Sequence, residues 1–386
     1  MSSDARTLFV GLALALTGGV TTSCASDPPT VPEVTFTREL QQVLNDVLES
    51  IDGVGVSAAL IMPDGNRWVG VSGVSQDGVS ITPDLLFDMG SAGKNLFAAL
   101  MLKLAEEGLV SLDDSLHEYL PSMPYVDPNI TVRQCLNHTS GLYMAVEHPA
   151  APFSQPYDDI EFDKWWTIDE IFGTLMDDPY FTPGQGWRYS QAGYQLGTLI
   201  VEQVTGTTVA EAIQSRLLDP LGIHGMLLDL TEPTPVEFEI THNWVDTDGD
   251  GDFDDVGDRS RNWINSLSRI LYYTRAEDFA MWLHALMGGE VLEQASLDEM
   301  LTFISPTPGE PLAAGYGLGI AELNPTVVEG QHVWGHGGSI AGYRAFVGHL
   351  PDLGITMSVL INSDSEEGFG EFITGLLRVI LDWASS

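Results

Sequence analysis

The sequence predicts an α/β (α+β) fold in which one antiparallel sheet is built from both ends of the chain, flanked by helices, with a mostly helical lobe inserted between its halves. Three observations carry this. Strand-like segments lie near the start, in "VGVSAALIMPDGNRWVGVSGV", and period-two alternation returns only past about residue 311. The intervening stretch has helical apolar spacing, broken by Pro- and Gly-bearing loops. No internal repeat divides the chain into similar units. At 386 residues and 44% hydrophobic, it can bury a large core in one domain or two interleaved lobes.

The elements follow in order. Arg6, the short apolar run "TLFVGLALALTGGV" and the small residues "TTSCAS" read as an export signal, too short for a comfortable membrane span. Cys24 is either the acylated cysteine of a lipoprotein or part of a leader cleaved near Ala25, so membrane attachment depends on its lipidation. Residues 1–30 are therefore expected outside the fold, and residues 31–386 form one catalytic domain. Its α/β lobe spans 33–90 plus 305–386, its helical lobe 91–304. Leu40, Val43, Leu44, Val47, Leu48 and Ile51 recur at helical spacing. Two strands joined by a turn at Pro63-Asp64-Gly65 come next. A helix is expected from Ser91 to Glu107, with Gly108 past its end. "EHPAAPFSQPYDDIEFDKWW" is a loop rich in aromatics and acids. "AGYGLGIAEL", "HVWGH", "YRAFVGHL" and "GITMSVLIN" are strands, and residues 368–384 form a closing helix.

Composition narrows the partners. The net charge of −40, from 55 acidic against 15 basic residues, repels phosphate backbones and argues against nucleic-acid binding. It suits a secreted protein or one from a salty environment. After removal of the leader, Cys135 is the sole cysteine, so no intramolecular disulfide forms.

The chemistry concentrates in "DMGSAGKNL". The chain has three lysines, Lys94, Lys103 and Lys164, and the first lies three residues after Ser91. Positions i and i+3 share a helix face, so both side chains point at a common space. A serine hydroxyl is a weak nucleophile until a base takes its proton, and a buried lysine loses the solvation that keeps it charged. Ser91 and Lys94 thus form a nucleophile and base within one turn. Two further stretches stand out: "FTPGQGWRYSQAGYQLG", with Tyr189 two residues before Gln191, and "WGHGGSIAGY", with His336, Gly337 and Gly338 on a strand where a substrate can lie against bare backbone.

The order and spacing of these three boxes resemble the serine β-lactamase-like hydrolases: class C β-lactamases, D-alanyl-D-alanine carboxypeptidases, D-aminopeptidases and family VIII-type esterase relatives. "ITVRQCLNHTSGL", "TPGQGWRYSQAGYQLGTLIVEQVTGTTVAEAI", "LLDPLGI" and "YGLGI" also have counterparts there, and the likeness runs from about residue 38 to 384. The resemblance implies the β-lactamase/transpeptidase-like fold, with Ser91 as the acylated nucleophile and Lys94 as its partner. Tyr189 would exchange protons with the serine and the leaving group, and His336 would open the third box. Lys-Thr-Gly, the usual third box of β-lactamases, is ruled out because no lysine follows Lys164. The backbone N–H groups of Ser91 and Ser339 would hold the oxyanion.

Two departures bear on the substrate. Gln191 stands where the family has Asn, one methylene longer, which shifts its contact with Lys94 or a substrate amide. Gly337 replaces a threonine that helps hold the carboxylate of β-lactams and D-Ala-D-Ala peptides. With the charge of −40, this favours a neutral ester or amide over an anionic substrate. The expected function is an exported serine hydrolase with a small-molecule or peptide substrate and no catalytic cofactor. The alternatives are a D-amino-acid-specific peptidase, a carboxypeptidase or β-lactamase, and a non-catalytic binder or sensor on the same scaffold.

One stretch lies outside the family pattern. In "DTDGDGDFDDVGD", Asp246, Asp248 and Asp250 alternate before Gly251, with Asp252 and Asp254 following, like the opening of a calcium loop. Gly257 occupies the position where an EF-hand has its Glu; Asp255 or Asp258 would substitute. A structural calcium is the expectation. His138 is expected to make a hydrogen bond within its own loop, and His332 with His336 is not expected to bind zinc.

Overall fold

A computed structural model of the chain describes residues 31–50, 54–155, 159–161, 164–227, 239–257, 272–306, 313–326, 328–340, 342–363 and 365–386. The leader, Cys24 and Asp258 lie outside the described residues.

Strands β1 (Gly55–Ile61), β2 (Arg67–Gln76) and β3 (Val79–Ser80) open the fold. Short strands β4 (Phe87–Asp88), β5 (Met226–Leu227), β6 (Asn243–Val245), β7 (Asp254–Gly257) and β8 (Tyr273–Thr274) lie in the middle of the chain. Strands β9 (Ala313–Tyr316), β10 (Ala321–Leu323), β11 (Trp334–Ile340), β12 (Tyr343–Leu350) and β13 (Ile355–Ile361) come last. The main sheet has the order β3-β2-β1-β13-β12-β11-β10-β9, so its centre is the antiparallel pairing of the first strand with the last, Ser57 opposite Leu360. Both termini therefore build one sheet, as the sequence predicts.

Strands β1 and β13 are buried throughout, so even their polar positions Ser57, Thr356 and Ser358 lie inside. On one face, Val56, Ala58 and Leu60 with Met357, Val359 and Ile361 pack under the two terminal helices, Val31–Ser50 and Glu366–Ala384, through Leu40, Leu44, Phe372 and Leu376. The opposite face belongs to a second core that holds the helix Ala276–Met287 and continues into the helical lobe. There the Ser358 hydroxyl donates to the Ala276 carbonyl at 2.5 Å.

Three differences from the sequence reading are physical. The stretch read as one strand, "AGYGLGIAEL", is the hairpin β9–β10, because Gly317 to Ile320 turn back on themselves. The middle of the chain holds two small sheets, β4-β8-β5 and β6-β7, whose strands of two to four residues are too short to show a period. The helix expected from Ser91 begins instead as a 3₁₀ turn, Gly90–Gly93, before the α-helix Lys94–Glu106.

Candidate active site

That 3₁₀ turn places Ser91, the residue expected to be the nucleophile. In a 3₁₀ turn side chains three apart eclipse one another, so Ser91 stands directly over Lys94. Two close approaches hold it. Gly90 adopts φ +51°, and its N–H donates to the buried Asp88 carboxylate at 2.8 Å. Gly338 on β11 packs so tightly that a Cβ there would lie 2.0 Å from the Met89 carbonyl oxygen. Helix Lys94–Glu106 is anchored in turn by Asn95, whose Nδ2 donates to Ala92 O at 2.6 Å and whose Oδ1 accepts from Trp282 Nε1 at 2.7 Å.

Lys94 is completely buried, and its Nζ forms a 3.0 Å hydrogen bond with Ser91 Oγ, while Ser91 is partly exposed. Among the described residues no carboxylate pairs with Lys94. Burial alone lowers its pKa from 10.5 to about 7. Asp88 is the mirror case: burial raises its carboxyl to about 7, and the Gly90 N–H opposes that only in part.

Tyr189 lies in the loop before helix Ala192–Thr205, with Lys94 Nζ 4.8 Å from its ring centroid. Its hydroxyl is buried and lacks a well-formed hydrogen bond; Ser91 is the neighbour that stabilises its ionised form. Burial outweighs that help and holds the phenol well above the usual tyrosine range. At neutral pH the site thus presents an amine close to its pKa beside a protonated phenol.

Strand β11 forms the opposite wall. β10 pairs with it only at Trp334 and Gly335, so the edge from Gly337 to Ile340 is left to the turn carrying Ser91. A Cβ on Gly90 would lie 3.0 Å from the backbone nitrogen of Ser339, which puts that N–H beside the Ser91 turn. Gly337 is open: among the described residues nothing would come nearer to a Cβ there than Ala345 O at 3.9 Å. The Ser339 hydroxyl accepts from Arg344 at 3.3 Å.

His336 enters the site with both ring nitrogens occupied. Nδ1 lies 2.6 Å from the Gly337 carbonyl, which can only accept, so Nδ1 carries the hydrogen and Nε2 accepts from the Tyr316 hydroxyl at 2.9 Å. Burial and the nearby Lys94 lower its pKa to about 3, so the ring is neutral. No nitrogen is left for a substrate. Gln191 begins helix Ala192–Thr205, and no hydrogen bond joins its side chain to Lys94.

Sequence reasoning missed two of these groups. Tyr316 sits on β9, two strands from β11, and only the fold brings its hydroxyl to His336. Asp88 left a faint signal, a lone acid in the apolar run "LLFDMG". His138 corrects an expectation: its partners lie not in its own loop but around Tyr189. In the acidic loop, carboxylate oxygens of Asp246, Asp248 and Asp250 lie within 4.8 Å of one another. Asp252 and Asp254 stand outside that cluster, because Asp254 begins strand β7 and takes the Thr247 hydroxyl, while Asp255 pairs with His242 at 2.9 Å. His332 is exposed and His336 buried.

Known proteins give the same picture. The Beta-lactamase family model matches residues 40–381. Penicillin-binding protein 4* of Bacillus subtilis (strain 168) is 26% identical over 323 residues, 77% of this chain and 65% of its own length. Protein flp of Staphylococcus aureus (strain MW2) is 24% identical, covering 86% of this chain and likewise 65% of its own. The chain thus spans about two thirds of the length of these curated relatives. Among solved structures, a D-stereospecific amidohydrolase from Streptomyces sp. is 28% identical with a TM-score of 0.73, covering 85% of this chain and 94% of that one. The D-amino acid amidase from Ochrobactrum anthropi SV3, complexed with L-phenylalanine amide, is 25% identical with a TM-score of 0.77, covering 91% and 100%. The three boxes, the sheet closed by both termini and the match across most of the sequence lead to one conclusion: this chain belongs to the beta-lactamase family.

Proposed function

We propose that the protein is an exported serine hydrolase that cleaves an ester or amide bond through an acyl-enzyme on Ser91. The observation that carries this is the 3.0 Å contact between the partly exposed Ser91 hydroxyl and a fully buried Lys94 that has no carboxylate partner among the described residues. A merely structural lysine would keep its charge by pairing; this one is poised to be a neutral amine.

In this reading the Ser91 proton passes to the lone pair of Lys94 Nζ as Oγ bonds to the substrate carbonyl carbon. The oxyanion lies against the N–H groups of Ser91 and Ser339, fixed donors that need not reorganise as charge develops. Collapse breaks the C–O or C–N bond, and the leaving group takes the Tyr189 proton, replaced from the Lys94 ammonium. Water then enters by the same route in reverse and releases the acid. Tyr189 acts as the acid and Lys94 as the base because burial moves their pKa values apart. His336, neutral and hydrogen-bonded at both nitrogens, shapes the wall without adding charge beside Lys94.

Gly337 supports a neutral substrate, since the space a threonine would fill is open. The likeness to a D-stereospecific amidohydrolase and a D-amino acid amidase supports a second reading, a D-amino-acid amide. Labelling with a fluorophosphonate tests the central claim: wild-type protein is labelled and Ser91→Ala is not, with its fold retained. Equal labelling of both would refute it, and no labelling of either would support a non-catalytic binder. Short acyl esters assayed beside D- and L-amino-acid amides separate the two substrate readings.

A further inference from the structure

We propose that His138 is a positioning residue for catalysis, fixing the Tyr189 phenol against Ser91 and Lys94 by holding the backbone on both sides of it and the ring itself. The inference rests on the reading of Tyr189 as proton donor to the leaving group. Three contacts converge from one side chain and its carbonyl. The His138 carbonyl accepts the Arg188 N–H at 3.0 Å. Its Nδ1 accepts the Ser190 N–H at 3.3 Å. Between them the imidazole packs on the Tyr189 ring, with centroids 4.3 Å apart. Residues 188, 189 and 190 are all held by one residue fifty positions earlier in the chain.

The backbone shows that this clamp is built rather than incidental. His138 has φ +63°, a left-handed conformation that costs a non-glycine residue energy, and it lies 1% exposed. An ordinary extended or helical backbone would not send its carbonyl and its ring to the same short segment. The tautomer is fixed as well: Nδ1 accepts, so the hydrogen is on Nε2, which finds no hydrogen-bond partner among the described residues. The imidazole lies in a cluster of rings, its centroid 4.7 Å from that of Tyr316 and 5.5 Å from that of Tyr194. A histidine serving only as packing would be better replaced by an apolar ring. Burial and the Lys94 charge keep it neutral, so it adds no positive charge near that base. The neighbouring loop continues the grip: Tyr180 N–H donates to Gly141 O and Gly184 N–H to Thr139 O, both at 2.8 Å.

Leaving groups distinguish positioning from stability. A p-nitrophenolate departs without a proton, whereas an alkoxide needs one, so a displaced Tyr189 harms the second far more. The measurement is kcat/KM, which reports acylation, for p-nitrophenyl butyrate and for the poorest leaving group the wild-type protein still turns over in the series p-nitrophenyl, phenyl and ethyl butyrate. His138→Ala should lower the poor-leaving-group rate at least about tenfold more than the p-nitrophenyl rate. His138→Asn, which tolerates positive φ and offers Oδ1 where Nδ1 stood, should recover part of that loss. In a Tyr189→Phe background His138→Ala should cost little more, since both changes act on one group. Equal losses on both esters, with Tyr189→Phe still selective for the poor leaving group, would overturn this inference alone. If Tyr189→Phe showed no leaving-group dependence, the reading of Tyr189 would fall and this inference with it. Should His138→Ala fold poorly, His138→Asn carries the test: full wild-type selectivity without the ring would refute the clamp.

Discussion

Replacing Lys94 by methionine should raise the stability of the fold while destroying its chemistry, and the gain should fade with rising pH. Methionine matches the lysine stem without its charge, and Lys94 is fully buried. The unfolded chain protonates this lysine with pKa 10.5, the folded chain with pKa about 7. At about 1.4 kcal/mol per pH unit, that gap is a cost to folding of roughly 5 kcal/mol. The sign follows from proton binding. Below about pH 7 both states are protonated and the cost is complete; between the two values the unfolded state binds the extra proton, so wild-type stability recovers as pH rises. Urea melts of wild type and Lys94→Met at about pH 6, 8 and 10 give the difference directly. It should be largest at the lowest pH and nearly gone at the highest. In parallel, kcat/KM of the wild type for a p-nitrophenyl ester should climb through an apparent pKa about 7 as the amine becomes free. A stability difference independent of pH would show that Lys94 is not the buried base, as would a flat rate profile between about pH 5 and 9.

Asp88 should titrate in the opposite sense. Its carboxyl is raised from 3.8 to about 7, so Asp88→Asn should stabilise increasingly as pH rises across that window and by a constant amount above it. Its rate profile would still show the Lys94 limb; loss of that limb would transfer the titration to Asp88. Benzylpenicillin and nitrocefin should be poor substrates because Gly337 leaves open the position where the family resemblance implies a carboxylate-holding threonine; nitrocefin turnover comparable with a short ester would refute this. For the acidic loop we propose a structural calcium at Asp246, Asp248 and Asp250, whose clustered oxygens repel one another without a cation. Calcium should raise the melting temperature over EDTA at matched ionic strength, by an amount equivalent to about 2.7 kcal/mol at a hundredfold excess over its dissociation constant. Asp248→Ala with Asp250→Ala should erase the difference, and coincident melts in the unchanged protein would refute the site.

By itself the sequence determined the elements whose signal is local. Alternation marked β12 and β13, and Pro63-Asp64-Gly65 marked the turn between β1 and β2, because a strand's face and a turn's backbone are set by neighbouring residues. Ser91 and Lys94 were legible for the same reason, being three apart on one turn. Tyr189 and the β11 glycines could be placed only through likeness to the family, since no spacing links them to Ser91. Tertiary structure alone decided what burial and long-range contact control. It made the Ser91 turn 3₁₀ and set Gly338 against the Met89 carbonyl. It brought Tyr316 to His336 and His138 to Tyr189 across gaps of 20 and 51 positions. It also moved Lys94 and Asp88 to about 7. A pKa depends on the water removed and the charges brought near, and residue order specifies neither until the chain has folded.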